Sequence, residues 1–137
     1  MPYVVINYWA VLVAGIVAMV IGFLWYGPIF GKSWMKLMGM NAESMKGKKN
    51  GMGGKYLVMF IGTLIAACVL AHLLVYAGAA DWVDGVQGGF WVWLGFYATQ
   101  QIGSVLWEGR STKLFTLNTL HSLVSLVVVG AILASWN

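Results

Sequence analysis

Apolar residues arrive in four long runs separated by short polar breaks: Tyr3 to Trp25, Tyr56 to Ala77, roughly Val86 to Trp107, and Leu114 to Trp136. A hydrocarbon core about 30 Å thick needs about 20 helical residues at 1.5 Å each, and every run has that length. No period-two alternation lasts long enough to compete as strand. In lipid a helix satisfies all of its own backbone groups. The pattern therefore predicts an all-α fold, an integral membrane four-helix bundle, built as a single transmembrane domain over residues 1–137. The third run starts least clearly, because Gly85, Gly88 and Gly89 weaken helix there.

The first border is the most distinctive. Trp25, Tyr26, Gly27, Pro28, Phe30, Lys32 and Trp34 stand within ten residues. Trp and Tyr settle at headgroup depth, and Pro28 is expected to stop the first helix. From Ile29 to Met40 the apolar residues Phe30, Trp34, Leu37 and Met38 recur at helical spacing, with Lys32 and Lys36 between them. That predicts a short interfacial helix after the first span, inside a loop of residues 27–55. Asn41, Glu43 and Ser44 suit a further turn, and Gly47 to Gly54 reads as a flexible basic linker. Ser111 or Thr112 is placed to cap the fourth helix.

Composition confirms lipid as the solvent: 61% of the 137 residues are apolar and only 9% are charged, against about 25% charged in soluble domains. The charges are one-sided. All eight Lys and Arg fall in the 27–55 loop or in the last loop, at Arg110 and Lys113. The middle loop carries Asp81 and Asp84 and no base. The positive-inside rule then places both basic loops in the cytoplasm and both termini outside, in a prokaryotic plasma (inner) membrane. An uncleaved first span is expected, since no basic residue precedes it. The net charge of +4 is explained by these loops. No basic, aromatic-interleaved soluble surface is left for nucleic acid.

Small residues at spacing four let membrane helices approach closely. Ala10, Ala14, Ala18 and Gly22 form such a stripe on the first helix, Gly62 and Ala66 on the second, and Gly95, Thr99 and Gly103 on the third. Whether these seams close within the chain or between copies is not legible in the spacing. A unit this small has much surface for its core, so self-association or docking with other membrane subunits is expected.

Intramembrane polar residues carry the candidate chemistry. Asn118, His121, Ser122 and Ser125 share one face of the fourth helix, at i, i+3, i+4 and i+7. The third helix supplies Gln100, Gln101 and Ser104, with Glu108 at its end, and is expected to be buried on two sides. At 1.5 Å per residue His121 lies about 10 Å and Gln101 about 9 Å from the basic boundary. A polar vestibule of Gln100, Gln101, Ser104, Asn118, His121 and Ser122, opening toward Glu108, is geometrically consistent. Two readings remain open: plain interhelical hydrogen bonding, or a vestibule for an ion, proton or small solute.

Other chemistry has little support. His72 and His121 are separated by roughly 13 Å along the membrane normal on the helical rise, and Cys68 is the only thiol. No metal site, and no cofactor, is expected. No Ser-His-acid set, paired carboxylates or phosphate-binding glycine loop is present, so no catalytic residues are assigned.

The segment from Trp25 to Pro28, followed by Phe30-Gly31-Lys32 and Trp34-Met35, resembles the first-helix signature of a family of small bacterial membrane proteins known as domain of unknown function 1761. Trp107-Glu108-Gly109-Arg110, then Leu114-Phe115, Asn118 and the terminal Trp136, is similar to the rest of its pattern. The resemblance implies a four-helix membrane fold and no established activity. The expected function is therefore an accessory or scaffold subunit of a membrane complex. The alternatives are a small transporter or channel using the inner polar layer, and, on the aromatic content alone, a lipid- or quinone-handling enzyme.

Overall fold

The computed structural model describes residues 3–39 and 52–136. The expected turn at Asn41 to Ser44 and most of the basic linker fall outside them. The described chain is helical, with no strand among the described residues. Residues 3–7 are non-helical, and the first helix starts five residues later than its apolar run. The reason is a cap: the Asn7 side chain accepts from the backbone N–H groups of Trp9 and Ala10.

Helix α1 (Tyr8–Leu24) does not stop at Pro28 but continues as a π turn, Trp25–Ile29. Proline cannot donate, and its ring crowds the carbonyl four residues back. The wider turn relieves this, and the Phe30 N–H reaches the Trp25 carbonyl at 2.9 Å. At Phe30 (φ −122°, ψ 10°) the chain bends into the short α2 (Gly31–Leu37). The bend requires glycine at 31, where a Cβ would lie 2.8 Å from the Tyr26 carbonyl oxygen.

Helix α3 (Met52–Tyr76) begins inside the expected linker, so Met52 to Gly54 are helical. It ends on Gly78, whose φ of +77° lets the Ala79 N–H return to the Leu74 carbonyl. Asp81 caps α4 (Trp82–Val92) by accepting from the Asp84 N–H. A second π turn, Trp93–Ala98, joins α4 to α5 (Thr99–Leu106). After a turn at Gly109, Ser111 caps α6 (Thr112–Ser135) through the Lys113 N–H.

Three of these segments are long and apolar enough to cross a membrane: Tyr8–Ile29, Met52–Tyr76 and Thr112–Ser135. The run from Trp82 to Leu106 reaches a similar length only by joining α4 and α5 through the π turn.

α6 is the organising element and packs against α1, α3 and α4. Its pairings with α1 and α4 run antiparallel. Asn7 donates to the Trp136 carbonyl at one end of α1, and Trp25 donates to the Leu117 carbonyl at the other. Gly85 lies against Gly130 and Ala134, Gly89 against Leu126, and Trp93 against Thr119.

The core occupies one half of this arrangement. Ala10, Val11, Ala14, Ala67, Leu70, Ala71, Leu74, Val129, Leu133 and Ala134 form one buried cluster, all at the end away from Lys32, Lys55, Arg110 and Lys113. Its closest approach is the α4–α6 crossing. A Cβ on Gly85 or on Gly130 would overlap the other's carbonyl oxygen, and one on Gly89 would lie 2.8 Å from the Leu126 carbonyl carbon. The glycines that weaken helix at 85 and 89 thus place two backbones in contact, where dispersion and packing are the main source of association in lipid. At the basic end the helices separate.

Candidate functional site

Where the helices separate they leave a half-open cavity of about 960 Å³, whose lining reaches Trp34, Met52 and Arg110 at the basic end. It extends along α6 from Leu114 to Val129 and along α3 from Met52 to Leu70. Five of the six vestibule residues line it: Gln101, Ser104, Asn118, His121 and Ser122. Gln100 does not, and is exposed on the outer surface of α5.

The face of α6 is arranged by its own periodicity and by two tryptophans. Each of them is the first residue of a π turn. The Trp25 indole N–H donates to the Leu117 carbonyl at 3.1 Å. The Trp93 indole N–H donates to the Thr119 carbonyl at 2.8 Å and lies 3.1 Å from Ser122 Oγ. An indole N–H withdrawn from water needs an acceptor, and helical carbonyls have a second lone pair to offer. These bonds hold the π turn after α1 and the π turn after α4 against one turn of α6, on either side of Asn118.

Tyr26 completes the wall. Its hydroxyl donates to Asn118 Oδ1 at 2.7 Å, and its ring packs edge-on against His121, centroids 5.0 Å apart. Trp34 of α2 meets the other side of Tyr26 at 5.5 Å. Trp25 stacks on Phe30 at 4.7 Å and lies 6.0 Å from His121. His121 Nε2 is 3.4 Å from Ser125 Oγ, and a Cβ on Gly22 would sit 3.6 Å from the same nitrogen. Thr63 closes the α3 side, donating to the Met59 carbonyl.

The other expected positions are distributed differently. Ala14 is fully buried in the core, and Ala18 packs against it. Gly95 meets nothing within 4 Å, Thr99 is exposed and bonds back to the Gly95 carbonyl, and Gly103 approaches only Trp107 of its own segment. The third-helix seam lies ten residues earlier, at Gly85 and Gly89. α5 contains no buried residue, contrary to the expectation of burial on two sides. Gly27, Pro28 and Lys32 are exposed. Glu108 pairs with Arg110 at 3.4 Å, both side chains more than half exposed. Trp107 is 87% exposed.

Sequence reasoning passed over Trp93, Tyr97, Thr119 and Arg110's place in the cavity wall. Trp93 and Tyr97 share a face at spacing four, and Thr119 adjoins Asn118. Those were the available signals. Among the described residues no group of three or more His, Cys, Asp or Glu is arranged to hold a metal. His72 lies away from the cavity, its Nδ1 2.8 Å from the Cys68 carbonyl one turn earlier.

No curated protein and no solved structure matches the chain. A family model does match, described as "Protein of unknown function (DUF1761)", over residues 9–134. Residues from α1, both π turns and α6 build the cavity wall, and all of these elements lie within the match apart from Tyr8 and Ser135 at the helix ends. The chain belongs to the DUF1761 family.

Proposed function

We propose that this is a four-span protein of the prokaryotic plasma membrane, with both termini outside, that takes a small molecule into the cavity from the cytoplasmic side. One observation carries the reading. Polar side chains from the first π turn, α3, α5 and α6 converge on a space of about 960 Å³ between apolar helices. Ligand sites of about 300–1,000 Å³ with mostly apolar walls and a few placed polar groups are the common pattern. Interhelical bonding alone needs no such space. Trp82 to Leu106 supplies the fourth span, its helical turns running on through Trp93–Ala98. The basic loops support this orientation through the positive-inside rule. With polar groups at mid-depth and no catalytic set, binding or transfer of a solute fits this site better than bond-breaking chemistry.

The test is water access. In a Cys68→Ala background, His121→Cys and Gln101→Cys should react with a membrane-impermeant thiol reagent applied from the cytoplasmic side. Lys113→Cys serves as the positive control for that side, and Asp81→Cys for the other. Labelling of Lys113→Cys with none at 101 or 121 from either side would overturn the proposal.

A second reading is self-association, or service as an accessory subunit, and it has its own observation. Cβ atoms at Gly62 and Gly95 would meet nothing within 4 Å, so small-residue positions on α3 and on the π turn after α4 face outward. Cross-linking in native membranes through cysteines at those two positions tests it.

A further inference from the structure

The cavity is chemically graded along its length. Arg110 lines its mouth and is the only charged lining residue among the described ones. The backbone N–H of Arg110 donates to the Ser104 carbonyl at 3.1 Å, which holds it beside the last turns of α5, near Gln101. Its partner Glu108 is 63% exposed, and an ion pair in that setting is weak and readily exchanged. Above Arg110 come neutral groups. Asn118 accepts from Tyr26 through Oδ1, which leaves its amide N–H groups to donate. His121 and Gln101 stand at the same depth. Beyond them Ser125 and Thr63 are the last polar side chains of the lining, and the walls end in Ala66, Ala67, Leu70, Leu126 and Val129. From Leu114 to Val129 the lining of α6 covers about 22 Å at 1.5 Å per residue. Half of a hydrocarbon core about 30 Å thick is about 15 Å, so the apolar end passes the bilayer midplane.

We infer that the cavity holds a single-chain amphiphile with an anionic head. The head sits at Arg110, whose guanidinium offers the fork geometry that carboxylate and phosphate oxygens accept. Asn118 and His121 bond to polar atoms next to the head, and the acyl chain lies along Leu70, Leu126 and Val129. The inference rests on the proposed function above, because it names the molecule that the cavity admits.

The test uses the full chain in phosphatidylcholine nanodiscs, with radiolabelled hexadecanoate, hexadecanol and hexadecyltrimethylammonium as probes. Partitioning into empty nanodiscs is subtracted. Hexadecanoate should bind saturably, one per chain, and about tenfold or more tighter than hexadecanol. Arg110→Gln, at an exposed position that folding does not need, should weaken hexadecanoate about tenfold and leave hexadecanol unchanged, while Lys113→Gln changes neither. Ala66→Trp, at an exposed lining position toward the deep end, should weaken both, with the thermal transition reporting that the variant is folded. Equal binding of acid and alcohol, tighter binding of the ammonium, or no effect of Arg110→Gln overturns the anionic head while leaving the cavity as a ligand site. Absence of saturable binding by all three probes to folded wild-type protein overturns the amphiphile, and water access at residues 101 and 121 then judges the cavity reading separately.

Discussion

The Tyr26 hydroxyl donates to Asn118 Oδ1 across 2.7 Å, joining the π turn that ends α1 to the second turn of α6. Both residues line the cavity, so the bond braces its wall where the helices are otherwise separating. Hydrogen bonds between membrane helices average about 0.6 kcal/mol and reach about 1.7. Tyr26→Phe removes the hydroxyl alone and keeps the ring against His121 and Trp34. It should cost about 0.6–1.7 kcal/mol of stability. In a double-mutant cycle, Asn118→Ala should cost little more once Tyr26 is Phe. Reversible unfolding in bilayers measures both, and additive losses would show that the two groups do not meet.

The tight half of the molecule should respond very differently from the open half. Gly85→Ala places a methyl on the Gly130 carbonyl, and Gly89→Ala places one on the Leu126 backbone. Neither neighbour is a flexible side chain that can give way. Overpacking a close-packed site typically costs about 1–3 kcal/mol, and these two changes should reach the upper part of that range. Gly62→Ala and Gly95→Ala meet open space and should leave stability unchanged or raise it by a few tenths of a kcal/mol through helix propensity. Thermal unfolding of the four variants side by side checks the contrast.

These glycines also show what could be read from the sequence and what could not. Asn118, His121, Ser122 and Ser125 were legible as a face, because the spacing lies on one helix and depth follows from counting residues. The seam was not. Gly85/Gly89 and Gly95/Thr99/Gly103 have the same spacing, and only the position of Gly130 on another helix selects between them. Pro28 was legible as a disturbance, yet the helix absorbed it by widening one turn, since the Trp25 carbonyl could still find the Phe30 N–H. The two indole bonds to α6 were hidden for a related reason. A tryptophan near a membrane boundary is accounted for by the interface itself, and its acceptor, here the carbonyl of Leu117 or Thr119, leaves no mark in the sequence.

Those indole bonds are testable through substitutions that keep the ring. Trp93→Phe removes the donor to Thr119 and Ser122 while preserving most of the apolar bulk. Ser122 still donates to the Thr119 carbonyl on its own helix, so no hydroxyl is stranded. The expected loss is about 0.6–1.7 kcal/mol for the bond, with a smaller packing term. Trp25→Phe should behave alike through Leu117. Leu117 and Thr119 stand two residues apart on one turn of α6, close enough for the two losses to couple, so the double variant should depart from the simple sum. A loss confined to one tryptophan would indicate that only one π turn is anchored to α6.

Pro28 sets the geometry that all of this depends on at the end of α1. Replacing it with alanine restores the missing N–H and removes the ring that crowds the preceding turn, so a regular α-helix becomes available from Tyr8 through Ile29. Narrowing the turn rotates Tyr26 relative to the helix below it, and its hydroxyl then leaves the line to Asn118. Pro28→Ala should therefore leave the protein folded and of similar stability, but the coupling energy between Tyr26 and Asn118 should fall toward zero in the same double-mutant cycle. His121 loses its edge-on partner at the same time. A cysteine at 121 should consequently react faster with the impermeant thiol reagent in the Pro28→Ala background than beside the intact π turn. If the coupling and the reaction rate both stay at their wild-type values, the π turn is set by contacts with α2 and α6, and Pro28 merely occupies it.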